Sequence, residues 1–359
     1  MRAAILLLAA LSIPAQAQWT IQTPTTADLR GIDNVGKGVA WASGSNGTVL
    51  RTEDAGYLWQ TCTIPPGAEH LDFRGIQAFD ANTAIVMSSG PGDQSRLYKT
   101  TDGCQTWTLL RTNADPNGFW DAIVFDNRYP NLKEPDAGEL VGDPVKGHFV
   151  VISKIGPVWL EEPAPSARHQ ESVFAASNSS VLSFGRLDFM LGTGGVHGSR
   201  VIFFHEEPYP GSNDNMHFVQ DSVNVPVASG AESAGIFSLG ECDRKNIVAV
   251  GGDYLKPNDP TRTAAFTTDG GKTWKNATTP PHGYRSAVAY DAPTKTWITV
   301  GPNGTDISTD DGRNWRALHP ASNEAPDADQ HWNALSLPYV VGPHGRIGIL
   351  TPSALKPQP

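Results

Sequence analysis

The sequence predicts an all-β chain folded as a seven-bladed β-propeller of four-stranded antiparallel blades, its ring closed by an N-terminal strand. Three observations predict it. A tight-turn motif recurs along the chain. Seven segments of similar character open seven successive repeats. Gly and Pro are abundant, at 36 and 28 residues, while only 18% of residues are charged, a composition that suits many short strands and turns.

The best copy of the motif is Phe266-Thr267-Thr268-Asp269-Gly270-Gly271-Lys272-Thr273-Trp274. It fits the Asp-box pattern Ser/Thr-x-Asp-x-Gly-x-Thr-Trp. The Asp carboxylate accepts backbone N–H bonds across the turn. The Gly takes a conformation that a side chain resists. The Trp starts the outgoing strand and covers the apolar edge of its sheet. Further copies centre on Asp310 with Trp315, Asp54 with Trp59, and Asp102 with Trp107, the last with Cys104 at the Gly position. Ser153-Lys154-Ile155-Gly156-Pro157-Val158-Trp159 is a shortened remnant without the Asp. Adjacent copies lie roughly forty to fifty residues apart, the period of a propeller blade.

Residues 1–17 read as a secretory leader: Arg2, a mostly apolar run from Ala3 to Ile13, then Ala15-Gln16-Ala17 as the cleavage site. The run is too short to span a bilayer. The mature chain is expected to start at Gln18 and form one domain over 18–359, exported to a bacterial periplasm or beyond. Trp19 to Gln22 is a strand outside any repeat.

The repeats then open at Leu29-Arg30-Gly31-Ile32, Phe73-Arg74-Gly75-Ile76, Trp120-Asp121-Ala122-Ile123, Glu171-Ser172-Val173-Phe174, Ser233-Ala234-Gly235-Ile236, Tyr284-Arg285-Ser286-Ala287 and Trp332-Asn333-Ala334-Leu335. A second strand follows each opening, and most end in a Gly-rich turn, such as those at Gly142, Gly192, Gly251, Gly301 and Gly342. A third strand and, where present, the Asp-box turn complete the blade. The last repeat stops after three strands, so Trp19 to Gln22 is expected to supply its fourth and remove two free sheet edges. The fourth repeat lacks the motif. Its His205 to Asp214 stretch reads as a long acidic, solvated turn. Asn46-Gly47-Thr48, Asn178-Ser179-Ser180, Asn276-Ala277-Thr278 and Asn303-Gly304-Thr305 fit the glycosylation triplet and read as chance matches in turns.

A formal net charge of −10 argues against nucleic acid as a partner. No Lys/Arg cluster points to an anionic membrane surface. Cys62, Cys104 and Cys242 allow one disulfide of unspecified pairing, and their spacing fits no zinc site. No haem or Cys-pair redox motif occurs. Gly192-Thr193-Gly194-Gly195 joins two strands and so is no dinucleotide fingerprint. No cofactor and no metal are expected.

Taken together, the Asp-box copies and the runs Phe73 to Asp80, Tyr98 to Cys104, Ser233 to Ser238, Val250 to Pro257 and Gly283 to Tyr290 resemble a known family. The chain is similar to bacterial BNR-repeat propellers related to the plant photosystem II stability/assembly factor, within the sialidase-like superfamily. The resemblance covers nearly all of the mature chain and implies the propeller fold. It also implies that the Asp boxes are structural and lie at the rim opposite the channel mouth.

In a propeller, the starts of first strands and the turns between second and third strands share one face. Arg30, Arg74, Asp121, Glu171 and Arg285 are therefore expected to meet Asp143, Asp253, Tyr254, His197 and His344 there. Guanidinium groups at one mouth suit capture of an anionic group or a polar chain end. The expected function is binding of a protein partner or anionic or polar ligand by a non-catalytic monomer, with an assembly or stability role. The alternative is a sialidase-type glycoside hydrolase with Asp121 and Glu171 as its carboxyl pair. The Phe-Arg-Ile-Pro signature of that family is absent, since Gly75 follows Arg74.

Overall fold

A computed structural model describes residues 18–125, 137–185, 187–208, 216–351 and 355. The expected leader, residues 1–17, lies outside them. Seven sheets surround a central axis, and almost no helix is present among the described residues. The first blade is Leu29–Gly36, Val39–Gly44, Val49–Thr52 and Gln60–Thr61. Each strand pairs antiparallel with the next, as short connections require. The second blade runs from Phe73–Ala78 out to Thr108–Thr112, the third from Trp120–Phe125 to Val158–Glu161.

Closure follows expectation. Trp19–Gln22 pairs antiparallel with Ile347–Leu350 as the outer strand of the seventh blade, Trp19 opposite Leu350 and Gln22 opposite Ile347. Trp19 is buried, its ring 5.6 Å from that of Trp332. The apolar residues of neighbouring blades merge at each blade interface. Leu29, Ala42 and Leu50 of the first blade, for example, pack against Tyr339, Val341 and Ile347 of the seventh.

Four turns between third and fourth strands carry one hydrogen-bond pattern. In that at Asp269, Thr267 Oγ1 donates to Asp269 Oδ1 at 2.7 Å and accepts from Gly271 N at 3.1 Å. Thr273 N donates to the same carboxylate at 3.0 Å. The turns at Asp54, Asp102 and Asp310 repeat the pattern. These bonds stabilise the ionised form, and Asp102 and Asp269 are each held down to about 2. Cys104 adopts φ 65°, a left-handed conformation better suited to glycine, and is disulfide-bonded to Cys62. The shortened copy is a tight hairpin, Ile155 opposite Val158.

The fourth blade corrects two expectations. Its inner strand is Val181–Gly185, not the opening at Glu171. Glu171–Ser172 is a two-residue strand paired with Gly194–Gly195, which joins the edge of the fifth blade. His205 to Pro208 also extends a strand rather than forming a turn: Ser199–Pro208 pairs with Met216–Val225 over ten positions. Backbone hydrogen bonding across both strands overrides the turn character of this acidic stretch. The rest of the expected turn, Tyr209 to Asp214, lies outside the described residues.

Candidate functional site

Between Ser172 and Val181 the chain leaves the blade and crosses the central channel. Its bonds run to the innermost strands of three other blades and to the residue just before that of a fourth. Asn178 accepts from Ile123 N at 2.8 Å and donates to Ile123 O at 3.0 Å. Ser177 Oγ donates to Ser286 O at 2.7 Å, and Ser179 Oγ to Ser238 Oγ at 2.7 Å. Leu239 N donates to Ser179 O at 2.8 Å, and Arg74 Nη1 to Ala175 O at 3.3 Å. Gly75 permits the approach, since a Cβ there would stand 2.9 Å from Asn178 Oδ1. Segment 173–180 is thus a plug, fixed by its polar groups because every buried amide must find a partner.

Above the plug lies a cavity of about 570 Å³ at the channel mouth. Local backbone geometry aims its side chains. In four blades the register slips in the first half of the inner strand, at Arg30, Arg74, Asp121 and Phe237. Each slip is a β-bulge, which turns a side chain out of the pleat. All four of these residues line the cavity.

Charge is arranged unevenly. Arg74 Nε bonds Asp72 at 2.9 Å, and Arg30 lies 3.8 Å from both Asp28 and Asp72. The two arginines are therefore matched by two carboxylates. Asp121 is 1% exposed, and its Oδ2 has no hydrogen-bond partner. Burial and the nearby Asp143 charge push its carboxyl well above the usual range, against the opposing pull of Arg74. Burial also pushes Asp143 up to about 6, although its Oδ1 accepts from Val173 N at 3.0 Å.

The other wall is aromatic. Phe174 of the plug stacks on Phe237 with centroids 4.0 Å apart. Tyr284 meets Phe237 edge-on at 4.7 Å, and Tyr254 does so at 6.1 Å. Tyr254 is about half exposed at the rim.

Of the residues expected at the mouth, Arg30, Arg74, Asp121, Asp143 and Tyr254 line this cavity; Glu171, Asp253 and Arg285 do not. Glu171 is buried in a bidentate pair with Arg200, at 2.7 and 2.9 Å, and also accepts from Thr193 Oγ1 and Arg168 N. Burial raises its pKa, but these bonds outweigh burial and leave it lowered. Arg285 is fully buried and pairs with Asp306, which also bonds His282 at 2.9 Å. In the sixth blade the inner strand begins at Ala287, so Arg285 precedes it and turns inward. Asp253 is held by Lys256 at 3.2 Å and by Leu255 N. His344 is 91% exposed, and His197 lies beside His169. No group of three or more His, Cys, Asp or Glu side chains placed to hold a metal occurs among the described residues.

The plug and the aromatic wall were not foreseen. The one sequence signal is length: Glu171 stands farther from Gly192 than Leu29 does from Gly44, which leaves room for an insertion.

No protein-family model and no curated protein matches the chain. Solved structures do match. YCF48 bound to a D1 peptide shares 17% identity at a TM-score of 0.56, covering 95% of this chain and 100% of that one. YCF48 from Cyanidioschyzon merolae shares 18% at 0.55, covering 94% and 100%. The WD40 β-propeller domain of Doa1 shares 10% at 0.58, covering 94% and 97%. The fold is that of the YCF48 and WD40 propellers. At such identities the likeness concerns fold, and function has to be argued from the site.

Proposed function

We propose that this chain is a non-catalytic propeller that binds a protein partner at the channel mouth, as an exported monomer with an assembly or stability role. The observation that carries the reading is the plugged, bulge-lined cavity, which gathers polar and aromatic side chains from several blades at one open end. The structural neighbour solved with a D1 peptide is a propeller of similar extent that takes a peptide. Export rests on the leader read in residues 1–17, and the Cys62–Cys104 disulfide suits an oxidising compartment. The glycosidase alternative needs Asp121 and Glu171 to face one substrate. Glu171 is held by Arg200 away from the cavity, which favours the binding reading.

Site-specific photo-crosslinking tests this. A benzophenone amino acid replaces Tyr254 at the mouth or Tyr57, 86% exposed in a turn at the opposite end of its blade. A discrete protein adduct from position 254 and none from 57 is expected. Equal adducts, or none from 254, would overturn the assignment.

A further inference from the structure

We propose that the mouth takes an alkylammonium group, presented as a lysine side chain of the partner, between the Asp121–Asp143 carboxyls and the Phe237–Tyr254–Tyr284 wall. This rests on the partner-binding reading and reverses the sign of the ligand expected from the arginines alone.

The charge count decides the sign. Arg30 and Arg74 have Asp28 and Asp72 as counter-ions. Arg74 is further tied to the plug at Ala175 O. What remains at the cavity is acidic: Asp121, Asp143 and, at the rim, Glu232. Among the described residues, Glu232 bonds the neutral Gln170 side chain and forms no ion pair. Among the described residues no Lys, Arg or His forms an ion pair with Asp121 or Asp143 within 4.0 Å. A carboxyl 1% exposed with one oxygen unpartnered is costly, and a matched cation is what restores its ionised form.

The aromatic wall adds a second, independent fit. Ring faces at a cavity rim attract ammonium groups, and the apolar rings accept the alkyl stem. Tyr254 is half exposed and contacts Phe237, which a bulge turns toward the same space. A lysine stem would run along these rings while its ammonium reaches the carboxyl side. A glutamate or a chain-terminal carboxylate would face acidic groups there and find no unmatched guanidinium.

The test uses blocked Gly/Ser nonapeptides with one central lysine, norleucine or glutamate, and free n-butylammonium. Binding to the full mature chain is followed by saturation-transfer NMR. The lysine peptide is expected to bind about tenfold tighter than the norleucine peptide. Asp121→Asn should abolish that preference, and Tyr254→Ala, at an exposed position, should weaken lysine binding several-fold. Equal binding of lysine and norleucine peptides, tighter binding of the glutamate peptide, or an unchanged preference in Asp121→Asn overturns the proposal. Binding of n-butylammonium without the lysine peptide overturns the protein source and assigns the site to a free amine. The crosslink from position 254 survives failure of the lysine proposal and disappears with failure of the partner reading, so the two are separable.

Discussion

Asn178 forms both backbone hydrogen bonds of a missing strand neighbour with Ile123, accepting from its N–H at 2.8 Å and donating to its carbonyl at 3.0 Å. One amide side chain thereby ties a channel plug to the third blade. Asn178→Ala leaves both groups of Ile123 unpaired, and Asn178→Asp removes the donor. Each should destabilise the fold by about 1–3 kcal/mol. Hydrogen exchange at the Ile123 amide should rise in Asn178→Ala, whereas Asn178→Asp keeps an acceptor for that N–H and should leave it protected. Unchanged exchange in Asn178→Ala would show that the plug is held by other contacts.

Asp121 and Asp143 set a pH dependence. Both carboxyls are raised in the folded state, mainly by burial. Between 3.8 and about 6 the folded Asp143 keeps a proton that the unfolded chain has released. Stability therefore falls as pH rises through that window, and Asp121 extends the fall upward. Asp143→Asn keeps an oxygen for Val173 N. It should stabilise the protein by about 1–3 kcal/mol near pH 8 and have little effect near pH 3.5. Urea titrations at both pH values check this; a gain of the same size at each would contradict it.

Arg285 and Arg74 occupy like positions in sequence but should behave differently. Arg285→Ala leaves the buried Asp306 with His282 as its remaining charged partner and should cost about 3 kcal/mol. Arg74→Ala removes a partly exposed pair and should cost under about 1 kcal/mol. Melting curves of the two variants decide; equal losses would mean that Arg74 is as structural as Arg285.

The closing strand should govern the whole ring. Trp19→Ala removes a buried ring packed on Trp332 and opens the seam at Leu350. A loss of about 3–5 kcal/mol is expected, with one cooperative transition retained. A separate early transition of the seventh blade would show that closure is local.

Sequence alone determined the propeller, the antiparallel blades and the closing strand, because each follows from local features repeated along the chain. Turn chemistry at Asp54, Asp102, Asp269 and Asp310, the seven recurring strand openings and one orphan strand at Trp19 need no distant partner to be read. Five of the expected mouth residues also reached the cavity, since blade topology places inner-strand starts and neighbouring turns on one face. Tertiary structure decided the rest. Within the inner strands, the charged or aromatic side chains that reach the mouth do so at bulges, as at Arg30, Arg74, Asp121 and Phe237. Arg285 has the same charge but no bulge, and Asp306 draws it inside. Glu171 found Arg200 across 29 positions, and segment 173–180 found four other blades across the channel. Such pairings depend on distances that exist only once the ring has closed.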